Sequence, residues 1–305
     1  MKIVFFGSSN VALPVLELLH EQYEIVLVVT TPDAKVGRKQ TLSPSPVGLL
    51  AEDLKLPQFK PDKLNDPEVV EKLTQAGSDI FIVISYGNII PEVILNIPPH
   101  KSLNIHPSLL PKYRGPTPMP AALLNGDTET GTTIMLMDKE MDHGPILAQK
   151  SIPIDSDDTF LTLQDKLSKL SAHVLVDVLP SYINGDLKPT EQDHSQATYC
   201  GMMTKANGKI DWQKSATEIY NQFRAYYPWP GIWTTWNGQI LKITFCSPIL
   251  NTTEASPGTV LDGGQVAAGS GTILQIHQLQ LAGKNENDIQ SFLNGYKNFT
   301  QSTLE

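Results

Sequence analysis

The chain has 305 residues and a formal net charge of −9 at pH 7, and its length suggests two domains with sizeable cores. Two cysteines, Cys200 and Cys246, exclude a disulfide framework, no apolar run approaches membrane-spanning length, and Lys2 leads straight into an apolar stretch with no signal segment, so a reducing, cytoplasmic setting is expected. The acidic balance argues at first against a nucleic-acid partner, but residues 205–305 carry seven basic and seven acidic side chains, so the excess lies in the N-terminal part and local patches must decide.

Ile3 to Phe6 reads as a buried strand, Gly7-Ser8-Ser9-Asn10 as a turn, Val11 to His20 as a helix, and Glu24 to Thr30 as the next strand. A strand, a glycine turn and a helix invite a dinucleotide-binding reading, but one glycine is not G-x-G-x-x-G, and no nicotinamide cofactor is expected. Thr31 to Val47 has almost no apolar content, three prolines and a small basic cluster at Lys35, Arg38 and Lys39. Composition alone makes it a solvated loop, placed after a strand end where function often sits. Val47 to Leu54 and Asp66 to Gly77 read as helices. Asp79 to Ser85 is a strongly apolar strand ending in the turn Tyr86-Gly87-Asn88-Ile89-Ile90-Pro91.

Ser102 to Ile105 reads as a short buried strand, Ala121 to Asn125 as a short helix, and Thr132 to Met137 as an alternating strand. Thr159 to Asn184 is a long amphipathic helix with Leu163, Leu167, Leu170, Val174, Val178 and Ile183 at helical spacing. Pro180 is expected to kink it or end it early, and Gly185 suits its exit. Residues 187–206 are polar and irregular, as a linker is. Beyond them Ser215 to Ala225 is a helix. The runs Ile240 to Phe245, Gly258 to Leu261, Gln265 to Ala268 and Thr272 to Leu281 suggest a small antiparallel barrel. The expected division is 1–188, a linker at 189–206, and 207–305.

Chemistry concentrates around the strand at Ser102 to Ile105. Residues two apart on a strand share a side, so Asn104 and His106 present an amide and an imidazole together where the strand ends. That pair suits acyl transfer: the amide stabilises a developing oxyanion, and the imidazole donates to it or manages protons. It equally suits a structural strand end, where lone histidines and turn asparagines are common. Met137 to Gly144 closes the following strand and brings Asp142 to the same end of a sheet, able to pair with His106 and favour its charged form.

The run Asn104-Ile105-His106-Pro107-Ser108-Leu109-Leu110-Pro111-Lys112-Tyr113-Arg114-Gly115, followed by Asp142-His143-Gly144, resembles the folate-dependent formyltransferases, most closely those acting on charged initiator tRNA. The resemblance implies an α/β fold with an open, Rossmann-like, mostly parallel sheet, followed by a small C-terminal OB-like β-barrel domain. It implies formyl transfer from 10-formyltetrahydrofolate to the α-amine of methionine on initiator tRNA; a monomer is expected, and no metal, since the ligand-type residues near the site pair as one His with one Asp. Asn104, His106 and Asp142 would surround the formyl carbon. Ser108, Leu109, Leu110 and Pro111 would line the tetrahydrofolate site, and Tyr86, Gly87 and Ile89 would wall the pterin pocket.

Lys35, Arg38 and Lys39, with the Pro44-Ser45-Pro46-Val47 that follows, resemble the basic loop that approaches the tRNA acceptor end. Ile210-Asp211-Trp212 and Arg224 to Gly231 resemble the family's C-terminal domain, where aromatics such as Trp229 and Trp233 suit either stacking on exposed bases or packing the core. The chain departs from the family at Glu140, where glycine is usual, at Pro120, where Gln or Asn is commoner, and at Gly7-Ser8-Ser9, where Gly-Thr-Pro is usual. Amino-sugar-nucleotide formyltransferases resemble the pattern too. A non-catalytic RNA-binding protein on an enzyme fold is a third reading, against which Asn104, His106 and Asp142 stand intact.

Overall fold

Five consecutive apolar residues, Ile3 to Phe6 with Gly7 behind them, cannot lie on a surface, and β1 (Lys2–Gly7) is buried along all but its first residue. The computed structural model describes residues 1–36 and 40–305. Its first unit comprises Met1–Pro118, Glu129–Pro153 and Gln164–Cys200; its second comprises Met119–Thr128, Ile154–Leu163 and Gly201–Glu305.

In the first unit β1 leads through α1 (Leu13–Gln22) to β2 (Glu24–Val29). The stretch expected as a plain loop instead forms a hairpin, β3 (Ala34–Val36) and β4 (Thr41–Ser43), with Ala34 opposite Ser43, Lys35 opposite Leu42, and Leu42 exposed. Next comes α2 (Pro46–Asp53), which starts where it does because Ser45 Oγ accepts from Gly48 N at 2.9 Å and Pro46 occupies the first turn. Then follow β5 (Gln58–Phe59), α3 (Pro67–Gln75), β6 (Ile80–Ile84), α4 (Glu92–Leu95) and β7 (Ser102–His106).

Beyond α5 (Pro118–Leu124), β8 (Glu129–Leu136) and β9 (Ile146–Pro153) complete a seven-stranded sheet of order β5-β2-β1-β6-β7-β8-β9. The strands from β5 to β7 run parallel, whereas β8 and β9 are antiparallel additions. This is the mostly parallel Rossmann-like sheet that the sequence leads one to expect. Strand order reverses between β1 and β6, and ligands of open α/β sheets bind outside the carboxyl ends of strands near such a reversal. One face of the sheet is filled by Phe6, Phe81 and Tyr86, with ring centroids 5.2 and 5.4 Å from Phe6.

The helix α6 (Phe160–Ile183) runs through Pro180 and ends three residues later; Gly185, at φ 81°, makes the exit. Pro180 forfeits its own bond to the Val176 carbonyl, and only Ser181, Tyr182 and Ile183 of the helix follow it. Its buried side chains are Leu163, Leu167, Ser168, Ser171, Ala172, Leu175 and Leu179, at three- and four-residue spacing, while Leu170, Val174 and Val178 are only half-buried.

The second unit carries α7 (Ala216–Tyr226), opened by reciprocal capping: Ser215 N donates to Glu218 Oε2 at 2.9 Å, and Ser215 Oγ accepts from Glu218 N at 3.3 Å. Its antiparallel sheet has the order β10 (Ile232–Trp236), β11 (Gln239–Thr252), β13 (Thr272–Leu281), β12 (Gln265–Ala267), and β14 (Asn287–Asp288) pairs with β13. The expected run Gly258 to Leu261 makes only single pairings, Thr259 with Thr303 and Val260 with Val266. A final helix, α8 (Ile289–Gly295), lays Phe292 against Trp236, whose ring also meets Tyr296 and Phe299. Among the described residues no helix is long and apolar enough to cross a membrane.

Candidate active site

β7 lies between a parallel and an antiparallel neighbour, with Asn104 opposite Val83 of β6 and His106 opposite Thr133 of β8. Its alternation sends Asn104 and His106 to one side, and both meet Asp142. Asp142 Oδ1 accepts from Asn104 Nδ2 at 3.2 Å and lies 3.5 Å from His106 Nδ1. Its other oxygen, Oδ2, accepts from Gly115 N at 2.8 Å. His106 is 4% exposed, and its Nε2 donates to the Tyr113 carbonyl at 2.9 Å. A carbonyl only accepts, so that contact fixes a hydrogen on Nε2 and aims Nδ1 at the carboxylate.

The loop between β7 and α5 is held from below by one hydroxyl. Thr133 Oγ1 donates to Ser108 O at 2.6 Å and accepts from Leu110 N at 3.1 Å and Gln149 Nε2 at 2.9 Å. Ser108 and Leu110 are therefore buried, while Leu109 and Pro111 keep part of their surface open. At the neighbouring strand end, Ser8 Oγ donates to Tyr86 O at 3.1 Å and Ser9 Oγ to Ser85 Oγ at 2.7 Å, bracing the turn after β6. Tyr86 itself faces the core, edge-on to Phe6, and burial pushes its phenol up from the ordinary value. Gly87 is exposed and Ile89 is 81% exposed, so of the expected pterin wall these two are open to solvent.

Lys35 is exposed on β3. Arg38 and Lys39 lie outside the described residues. Glu140 is exposed, its N–H donating to Asp138 Oδ1 at 2.8 Å, and Pro120 is buried within α5. Among the described residues no group of three or more His, Cys, Asp or Glu side chains is arranged to hold a metal ion.

Two residues that sequence reasoning passed over stand behind Asp142. Arg114 and Gln192 are both buried, and Arg114 Nη2 donates to Gln192 Oε1 at 2.7 Å and to His194 Nδ1 at 2.8 Å. Arg114 belonged to the motif already noticed; Gln192 is one polar residue in a polar stretch and carries no local signal. Cys200 Sγ lies 3.4 Å from the Arg114 carbonyl, and burial pushes its thiol up.

The family model described as formyl transferase matches residues 1–179, and the model of the formyl transferase C-terminal domain matches residues 202–297. The chain belongs to the formyltransferase family. Among curated formyltransferases it is 40% identical to the methionyl-tRNA formyltransferase of Halalkalibacterium halodurans, over 97% of this chain and 95% of that one. It is 41% identical to that of Enterococcus faecalis, over 96% of each. Among solved structures, the sugar 3N-formyltransferase WlaRD aligns with a TM-score of 0.68 at 22% identity, over 93% of this chain and 99% of that one, a likeness of fold. The formyltransferase sheet expected from the Asn104-to-Gly115 run is thus the sheet found.

Proposed function

We infer that this formyltransferase moves a formyl group from 10-formyltetrahydrofolate to the α-amino group of methionyl-initiator tRNA. The observation that carries the chemistry is the convergence of Asn104, His106 and Gly115 on the carboxylate of Asp142. Identity of 40% and 41% over nearly the full length of curated methionyl-tRNA formyltransferases supports the choice of acceptor.

In this reading the amine's lone pair attacks the formyl carbon, and the carbonyl electrons move onto oxygen. Asn104 Nδ2 has a second hydrogen to give that oxygen beyond the one given to Asp142. At 3.5 Å the contact from His106 Nδ1 to Asp142 is long, which leaves room for the oxyanion to approach a hydrogen carried there. The ring then carries hydrogens on both nitrogens, and Asp142 balances its charge. As the tetrahedral species collapses, the bond to the folate nitrogen breaks and that nitrogen takes up a proton. The amine's proton leaves by way of Asp142 and water. Gly87, Ile89, Leu109 and Pro111 are offered as the open part of the folate pocket, with Ser108, Leu110 and Tyr86 supporting it from behind.

Residues 1–188 are read as the formyltransferase domain, 189–206 as the linking segment and 207–305 as the tRNA-binding domain, in a monomer working in the cytoplasm. The deciding experiment supplies 10-formyltetrahydrofolate with either charged initiator tRNA or an amino-sugar nucleotide. Formylation of the methionyl amine is expected; turnover on the sugar amine alone would replace this reading, and tRNA binding without turnover on either would make the chain a binding protein.

Two expectations concern the acceptor. Trp229 is 50% exposed and Tyr227 39% exposed, in a turn beside α7, whereas Trp233 is half-buried with Nε1 donating to Lys205 O at 3.1 Å. Stacking one base is worth about 1–3 kcal/mol, so Trp229→Ser should raise the tRNA Kd roughly tenfold without moving the melting temperature. An unchanged Kd would leave Trp229 as ordinary surface.

Lys35, Arg38 and Lys39 are proposed to meet acceptor-stem phosphates. Replacing all three with Glu should weaken tRNA binding and flatten its salt dependence, with donor binding unaltered, because each neutralised phosphate releases counterions. A wild-type slope of log Kd against log salt in the triple variant would remove the loop from the interface.

A further inference from the structure

Asp142 sits at φ 52°, in the left-handed region that non-glycine residues occupy only when their surroundings hold them there. The hold comes from a segment distant in sequence. Gln192, 5% exposed, uses both hydrogens of its amide nitrogen on that turn: Nε2 donates to Asp142 O at 3.0 Å and to Gly144 O at 2.7 Å. Those carbonyls bracket His143, so one side chain clamps the turn on both flanks of the residue after the carboxylate. Its remaining atom, Oε1, accepts from Arg114 Nη2 at 2.7 Å and Nε at 3.3 Å. Arg114 immediately precedes Gly115, whose N–H binds Asp142 Oδ2 at 2.8 Å. A closed ring results, in which the backbone of Asp142 is tied through Gln192 and Arg114 to the amide that holds its carboxylate.

We propose that Gln192, braced by Arg114, is a positioning residue for Asp142 in formyl transfer. The inference rests on the catalytic reading of Asp142 given above. The geometry assigns Gln192 a part in the reaction although it touches neither substrate, because moving the turn by a fraction of an ångström displaces the carboxylate from both Asn104 and His106.

The test separates clamping Asp142 from merely satisfying Arg114. Gln192→Glu keeps the side-chain shape and an acceptor for Arg114, but sets an oxygen, without hydrogens, against two carbonyl oxygens. A purely structural partner for Arg114 would tolerate that change. A positioning residue would not: kcat should fall about tenfold to a hundredfold, with KM for the donor nearly unchanged. In an Asp142→Asn background the same substitution should add little further loss, since residues acting as one unit are not additive.

Wild-type kcat in Gln192→Glu, or an equal fold loss in both backgrounds, would overturn the inference while leaving the catalytic reading standing. Wild-type turnover in Asp142→Asn would overturn the catalytic reading and the inference with it. Should Gln192→Glu prove poorly folded by its melting curve, Gln192→Met, which drops both hydrogens without adding charge, enters the same cycle with the same expected pattern.

Discussion

Asn104→Ala and His106→Ala should each lower kcat on the order of a hundredfold or more, the scale for losing an oxyanion donor or a proton-handling group. Binding of the folate donor should change little, because the open residues proposed for it lie on the loops after β6 and β7. The two variants differ in what else they disturb. Asn104 is half-buried and gives one hydrogen bond to Asp142, so its loss frees Oδ1 without opening the core. His106 is buried and donates to the Tyr113 carbonyl, so its truncation forfeits that hydrogen bond while Cys200 Sγ still donates to the same oxygen at 3.6 Å, at a cost of about 0.5–1.5 kcal/mol in stability. Single-turnover rates must therefore be read well below the melting temperature of each variant. Near wild-type turnover in folded His106→Ala, with tRNA bound normally, would show the proposed mechanism to be wrong.

The part of the site that was legible in the sequence is the part built by local rules. Two-residue alternation alone places Asn104 and His106 on one side of β7, and a buried strand of five residues needs no tertiary knowledge to be seen. Asp142 was legible because it closes the strand after the loop, and an antiparallel neighbour returns it to the same sheet end. Gln192 was not legible, since its role depends on a chain path between residues fifty positions apart, and its neighbours differ from it in no periodicity. The strand β9 hid for a similar reason: its pattern mixes Gln149, Lys150 and Ser151 into an edge position, where β8 pairs with it along its length and Thr190 pairs with Ile146.

The hairpin of β3 and β4 hid because Ala34, Lys35, Thr41 and Leu42 are exposed, so no apolar alternation marks those positions. Tyr86 shows a turn overriding alternation. Its place after a strand end suggests a pocket wall, but Ser85, at φ 48°, breaks the alternation of β6 and turns Tyr86 to the side of Phe81 and Val83, against Phe6. A strand end presents side chains to a ligand only where the chain turns outward, and after β6 the exposed residues are Ser85, Gly87, Asn88 and Ile89.

Gly115→Ala should damage stability and turnover together, because this residue joins the carboxylate to the segment that closes the first unit. Gly115 sits at φ 116°, which an alanine reaches only under strain, and a Cβ there would run into the Cys200 carbonyl oxygen. Cys200 cannot simply withdraw. Its N–H donates to Arg114 O at 2.8 Å, and Arg114 N donates to Thr198 O at 2.8 Å, so retreat would cost the backbone pairing on either side. The alternative, movement of Gly115, pulls its N–H away from Asp142 Oδ2. Either path costs about 1–3 kcal/mol for the strained backbone alone, before the clash is counted.

Turnover should fall at least tenfold as the carboxylate loses its second anchor, the usual sensitivity to misplacing a catalytic group. Gly185→Ala is the matched comparison: it too has a positive φ, 81°, but nothing lies within 4 Å of its added Cβ. That variant should show the backbone cost in its melting temperature and wild-type turnover. If Gly115→Ala melted no lower than Gly185→Ala and turned over normally, the tie between Gly115, Cys200 and Asp142 would have no bearing on the reaction.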